Sequence, residues 1–204
     1  MRLLFILIGA CSLLVSCKKE RTIHITAKNA VTGVPYSGLT YYVVQEMTSG
    51  DGEKTKTVAT GTLDANGEAY LAKRLPKAYS YVRVEAPANT CYNKQIAYHF
   101  ANQETSFDCA FEFAPCATLQ RRLKNINCVD SNDKIEIYID NSVHSLTPTP
   151  WILNGCADYT TVPNQVPIGT YTLHWIVTKN NVSTDHYDSF VLTENETKLY
   201  EIDY

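Results

Sequence analysis

The chain has 204 residues, with 18 Lys and Arg against 21 Asp and Glu, 45% hydrophobic residues and seven cysteines. There is no basic excess to grip a polyanion, which argues against nucleic acid as a partner. The length allows one large domain or two small ones.

The first twenty residues set the compartment. Arg2 gives a positive start, and an apolar run over residues 3–8 is continued by Leu13, Leu14 and Val15. Leu14-Val15-Ser16-Cys17 follows, then Lys18-Lys19-Glu20. The run falls short of the roughly 20 apolar residues a membrane span needs and reads as a secretory signal peptide. Leu-Val-Ser-Cys resembles the lipobox of bacterial lipoproteins. The resemblance implies cleavage before Cys17, a diacylglycerol thioether on its sulfur and acylation of the new amine. One acyl chain holds a protein only marginally, whereas two or more anchor it stably. Residues 1–16 are then signal peptide, and residues 17–21 a lipidated tether reaching at most roughly 17–18 Å. Lys18 is not the aspartate that keeps some lipoproteins in the inner membrane. The resemblance therefore implies the outer membrane, on the periplasmic or the exterior side. A signal peptide cut near Ala10 or Ser16 without lipidation is the alternative. The mature chain keeps 188 residues, 17 basic and 21 acidic, for a net charge of −4.

Residues 21–27 alternate polar and apolar, the period of a half-buried strand. Residues 29–35 carry turn chemistry. Further strands are expected over residues 39–47, 56–63, 68–73, 79–86, 96–100 and 106–114. Val82, Val84 and Ala86 face inward, and Phe107, Cys109, Phe111 and Phe113 share a core face. Asp64-Ala65-Asn66-Gly67 supplies residues that tolerate positive φ, as a tight hairpin requires.

This half resembles the carboxypeptidase regulatory-like, or transthyretin-like, β-sandwich family. The match is carried by Val31-Thr32-Gly33-Val34-Pro35-Tyr36-Ser37-Gly38, and by Gly61-Thr62-Leu63-Asp64-Ala65-Asn66-Gly67-Glu68-Ala69-Tyr70. The resemblance implies a sandwich over residues 22–115 that serves as a non-catalytic accessory or adhesion module. Ser37 and Leu39 depart from the family's small residues, and the loop around Cys91 does not align with it.

A second β-sandwich of residues 116–204 is expected from the short strands and polar turns that follow. A polar strand runs over 117–126 with Leu119 and Leu123 on one face. Residues 134–140 place Ile135, Ile137 and Ile139 inward, and 171–178 place Tyr171, Leu173, Trp175 and Val177 on one face. Closing strands are expected over 188–193 and 197–204. The fold class is thus all-β, with two small transthyretin- or immunoglobulin-like sandwiches in tandem. Residues 144–167 form a long irregular stretch with four prolines, and a short edge strand near 151–154. Connections of this length are commonly functional or disordered. Trp151 either plugs the open end of the second sandwich or, with Tyr159, crowns it as a partner contact.

Cys11 leaves with the signal and Cys17 is the lipid site, so five cysteines remain in a compartment that permits disulfides. Along an extended strand, Cys109 to Cys116 spans roughly 23 Å and Cys116 to Cys128 roughly 40 Å. A disulfide needs Cα atoms within about 7 Å. The preferred bond is Cys128–Cys156, both beside turns. Cys91–Cys116 is second, leaving Cys109 free in the core.

No sequence motif implies a cofactor or a metal. The histidines share no metal-ligand spacing with cysteine, and no nucleophile elbow or phosphate loop is present. Residues 64–68 lack the spacing of a calcium loop. Asp185, His186 and Asp188 are the one polar cluster that could serve a hydrolase, and a solvated hairpin end is the plainer reading. Tyr42, Tyr70, Tyr81 and Tyr92 fall on or near outward faces, and tyrosine suits contacts with sugars or proteins. The expected protein is a non-enzymatic lipoprotein that meets the membrane through its anchor. An envelope protein or a glycan is the expected partner, the latter in an accessory to a nutrient-uptake system.

Overall fold

The computed structural model describes residues 19–49, 52–75, 80–100, 105–145 and 149–204. Cys17 lies outside them. The described elements are all strands, arranged in multiple sheets.

The first sheet is built on β1 (Lys19–Asn29), which runs antiparallel to β4 (Glu68–Leu75) and parallel to β8 (Ser106–Lys124). The short β6 (Thr90–Asn93) also pairs with β8. The facing sheet runs β3 (Gly52–Thr62), β2 (Thr40–Ser49), β5 (Ser80–Val84), β7 (Tyr98–His99). Alternation in these strands puts every second side chain between the sheets. Ile23, Ile25, Val43, Val82, Cys109, Phe111 and Phe113 meet there in one core. Ala86, expected inward, is exposed, because β5 ends at Val84.

The tight turn at residues 64–67 is not the hairpin expected, because β3 pairs with β2 and β4 with β1 in the other sheet; in it Asp64 Oδ1 accepts the amides of Asn66 and Glu68 at 2.9 Å each. Gly67 sits at φ +71°, where a Cβ would lie 2.6 Å from the Ala27 carbonyl oxygen. The turn needs glycine both for its backbone angle and for that close approach.

A second core gathers Leu119, Leu123, Ile135, Ile137, Tyr171, Leu173, Leu192 and Ile202. One sheet around it runs β10 (Trp151–Asn154), β9 (Lys134–Asn141), β13 (Gly169–Lys179), β14 (Val182–Leu192). The other is the far half of β8. It is flanked by parallel β15 (Thr197–Asp203) and by antiparallel β11 (Asp158–Thr160) and β12 (Asn164–Pro167).

Three further expectations need correction. The strands expected over 106–114 and 117–126 are one, since β8 spans 19 residues without interruption. Proline inside a strand usually argues against one, having no N–H for the ladder. Pro115 is opposite Thr90 at the irregular end of the β6 ladder, and otherwise falls between Phe113, the last residue paired to β1, and Thr118, the first paired to β15. Residues 19–21, expected to be loose chain, are strand. Lys19, Glu20 and Arg21 are already paired with Leu75, Arg74 and Lys73, and Arg21 is buried with its guanidinium 5.4 Å from the Phe107 ring centroid. The strand expected at 96–100 is only Tyr98–His99.

Two disulfides are present. Cys128 is joined to Cys156 with Cα atoms 5.2 Å apart, and Cys91 to Cys116 with Cα atoms 5.0 Å apart. Cys109 is free and buried, and desolvation among the phenylalanines pushes its thiol up to about 12.

Candidate functional site

Residues 151–160 pass from one sheet of the second core to the other. Trp151 on β10 pairs with Ile137 of β9, and Tyr159 on β11 pairs with Leu123 of β8. Their rings meet edge to face with centroids 5.3 Å apart. The Arg121 guanidinium lies 5.4 Å from the Trp151 ring centroid, and burial lowers its pKa. Trp151 is half-buried and packs on the core, as Trp175 does, while Tyr159 remains 46% exposed. The two candidate contact residues are thus together, but of the two only Tyr159 offers a large exposed surface.

The Asp185, His186 and Asp188 cluster is divided. His186 and Asp188 share one face of β14, and Asp185 points to the other, as the two-residue period of a strand requires. Asp185 Oδ1 lies 2.7 Å from His174 Nε2. His186 stacks on Trp175 at 5.4 Å and meets the Thr184 hydroxyl at 3.2 Å. Asp188 accepts a hydrogen bond from the Tyr200 hydroxyl, which holds its carboxyl below the usual carboxylate range. Among the described residues no three His, Cys, Asp or Glu side chains are grouped to hold a metal ion.

The outward tyrosines differ in role. Tyr42 lies under the Arg83 guanidinium at 4.4 Å, and Tyr81 is half-buried against His99. Tyr92 packs on the second core rather than facing outward. Tyr70 is 70% exposed. It sits in a row across three strands, opposite His24 of β1, which in turn is opposite Asp108 of β8. The His24 and Tyr70 rings stack at 4.1 Å with planes 6° apart, and His24 Nδ1 lies 3.1 Å from Asp108 Oδ1. The Tyr70 hydroxyl donates to Glu68 at 3.1 Å. Thr22, Ala72 and Ser106 form the next row, and their small side chains leave a groove of about 450 Å³ beside the stacked rings.

A similar row crosses β9, β13 and β14. His174 stands between Tyr138 at 5.4 Å and Tyr187 at 4.5 Å, all three rings near parallel, with Tyr187 72% exposed. Neither row is visible to sequence reasoning, since each depends on register between distant strands.

No family profile and no curated protein matches the chain. Some solved structures resemble it distantly. The TIE protein of Bacillus anthracis is 16% identical, with a TM-score of 0.35 over 91% of this chain and 34% of that one. A streptococcal ancillary pilin is 12% identical, with a TM-score of 0.35 over 92% of this chain and 63% of that one. The major pilin SpaD of Corynebacterium diphtheriae is 9% identical, with a TM-score of 0.37 over 85% of this chain and 66% of that one. The chain spans about a third and just under two thirds of the length of the first two. These similarities are too distant to carry an argument about function.

Proposed function

We propose that this chain is a lipid-anchored, non-enzymatic module of the bacterial cell envelope. Cys17 holds it to the outer membrane, and two β-sandwiches in tandem are displayed from that anchor, the first of the carboxypeptidase regulatory-like kind. The observation that carries the non-enzymatic reading is the use of the polar side chains best suited to chemistry. Asp185 is spent on His174, Asp188 on Tyr200 and His186 on Trp175. A nucleophile–base–orienter relay needs such groups bonded to one another, and these three are not: His186 meets the Thr184 hydroxyl, and the two aspartates are bonded to His174 and Tyr200. The anchor is supported by Leu14-Val15-Ser16-Cys17. Cys17→Ser protein is expected to move from the detergent phase to the aqueous phase on phase separation. Partitioning like the wild type would overturn the anchor. A hydrolase screen in which the wild type is active and His186→Ala is not would overturn the non-enzymatic reading.

A second reading, a glycan-binding accessory of a nutrient-uptake system, is favoured by one feature. His24 braces one face of Tyr70 and leaves the other open to solvent, beside Glu68, Asp108 and a groove floored by Thr22 and Ser106. A fixed aromatic face ringed by hydrogen-bonding groups suits a sugar ring. Saturable binding on a glycan array that is lost in Tyr70→Ala would establish this reading. No binding by the folded wild type would remove it.

A further inference from the structure

Three side chains gathered at the loop between β8 and β9 carry chemistry that exceeds what packing needs. Asn125, one residue past β8, is 8% exposed, and Asp133, one residue before β9, is 0% exposed. Lys179, the last residue of β13, reaches Asn125 from the opposite sheet. Its Nζ donates to Asn125 Oδ1 at 2.9 Å and to the Asn127 carbonyl at 2.9 Å. It also lies 5.6 Å from the centroid of the Tyr204 ring. The Asn125 carboxamide donates through Nδ2 to Asp133 Oδ2 at 2.8 Å and to the Gly155 carbonyl at 3.1 Å. The Val129 amide also donates to Asp133 Oδ2, at 2.9 Å. Asp133 Oδ1 is buried with no hydrogen-bond partner, as is the Tyr204 hydroxyl. A fully buried carboxylate oxygen left without a partner is costly and calls for a role.

We propose that Lys179 and Asn125 become joined through their side chains, by an amide bond between Lys179 Nζ and Asn125 Cγ. The reaction is an internal transamidation and needs no oxidant or co-reactant. The proton that the Lys179 ammonium loses passes through the Asn125 carboxamide, which is bonded to both groups, to the Asp133 carboxylate, whose Oδ1 is unpartnered. The neutral amine attacks Asn125 Cγ, and the Nζ–Cγ bond forms. Asp133, 2.8 Å from Nδ2 through its other oxygen, returns the proton to that nitrogen as the Cγ–Nδ2 bond breaks. The nitrogen leaves as ammonium, having also taken the second proton that Nζ loses. Amine and amide are already in contact, so the step is unimolecular, and positioning of this kind removes much of a barrier. Lysine is a competent nucleophile once it is neutral, and a carboxylate bonded to the leaving nitrogen is placed for general acid–base work. The bond would tie the end of β8 to the end of β13 across the second core, closing a span of 54 residues. This goes beyond the envelope reading and does not depend on which partner the chain binds.

Peptide mapping of the full-length protein decides it. The digest must be reduced and alkylated first, because Cys128 and Cys156 lie on the two tryptic peptides that also carry Asn125 and Lys179. An unlinked chain gives separate peptides 125–134 and 135–179. A linked chain resists trypsin after Lys179, and gives one branched peptide joining 125–134 to 135–198, lighter by one ammonia than its two parts together. The branched peptide is expected stoichiometrically. Separate peptides from folded wild-type protein, with both disulfides formed, would overturn the proposal. Asp133→Asn is expected to give only the separate peptides. A branched peptide in that variant would overturn the role of Asp133.

Discussion

Among the described residues, five carboxylates are held below their ordinary range, each by a neighbour at hand. Glu112 is lowered first by Lys94, Asp133 by the Val129 amide, Asp158 by Arg122, Asp188 by Tyr200 and Glu196 by the Thr193 amide. Folded values below the unfolded ones mean that these groups add stability that is complete above roughly pH 4, the unfolded carboxylate range. That stability is lost as pH falls through the depressed folded values. Urea midpoints measured downward from pH 6 are expected to hold until about pH 4 and then drop; a midpoint flat to about pH 2 would contradict the shifts. Cys109 is the opposite case. Its thiol, pushed up to about 12 and 1% exposed, is starved of thiolate. A thiol reagent at pH 8 is expected to leave it unmodified in the native protein and to label it once urea unfolds the chain. Its burial was legible in the sequence, because Phe107, Cys109, Phe111 and Phe113 alternate on one strand. The Tyr70–His24–Asp108 row was not, because His24 and Asp108 are 84 residues apart and meet only through the register of β1 on β8.

Strands with one buried face were readable, and strands without one were not. β9 carries Ile135 and Ile137 inward with polar residues between them, and its bounds lie within a residue of those expected. β14 is exposed from Val182 to Ser189, so only its last residues show a period, and the expected strand began six residues late. The signal that could have found it is Asn180-Asn181. These residues sit at φ 50° and 61°, as a two-residue hairpin turn of the primed type demands. β11 is exposed throughout and short, and its place is fixed by pairing with β8 rather than by pattern. The segment around it is tied down at Cys128–Cys156, which closes 28 residues of chain between a turn and the end of β10. Replacing both cysteines by serine is expected to cost about 2–4 kcal/mol, from the freedom returned to the unfolded chain. Urea unfolding under non-reducing conditions checks this, and an unchanged midpoint would mean that the bond adds no stability.

At the scale of the whole molecule, one strand serves both cores. β8 gives Phe107, Cys109, Phe111 and Phe113 to the first, and Ala117, Leu119 and Leu123 to the second. Its middle, from Phe113 to Ala117, is buried at every residue. Other contacts reinforce this crossing. Cys116 is bonded to Cys91 and donates its amide to the Asn89 carbonyl, while the Pro115 carbonyl accepts the Ile168 amide. Ala30 and Tyr92, from the first half of the chain, pack on the second core. A junction that shares a strand, a disulfide and packed side chains should not let either half unfold alone. The tryptophans make this measurable, since Trp151 and Trp175 both pack on the second core. Phe111→Ala removes a fully buried ring from the first core, at a cost of about 3–5 kcal/mol. If the cores are coupled, tryptophan fluorescence and far-UV circular dichroism will follow a single urea transition, shifted to lower urea in the variant. A tryptophan transition that stays at the wild-type midpoint while part of the dichroism melts earlier would show that the strand joins the cores without coupling them.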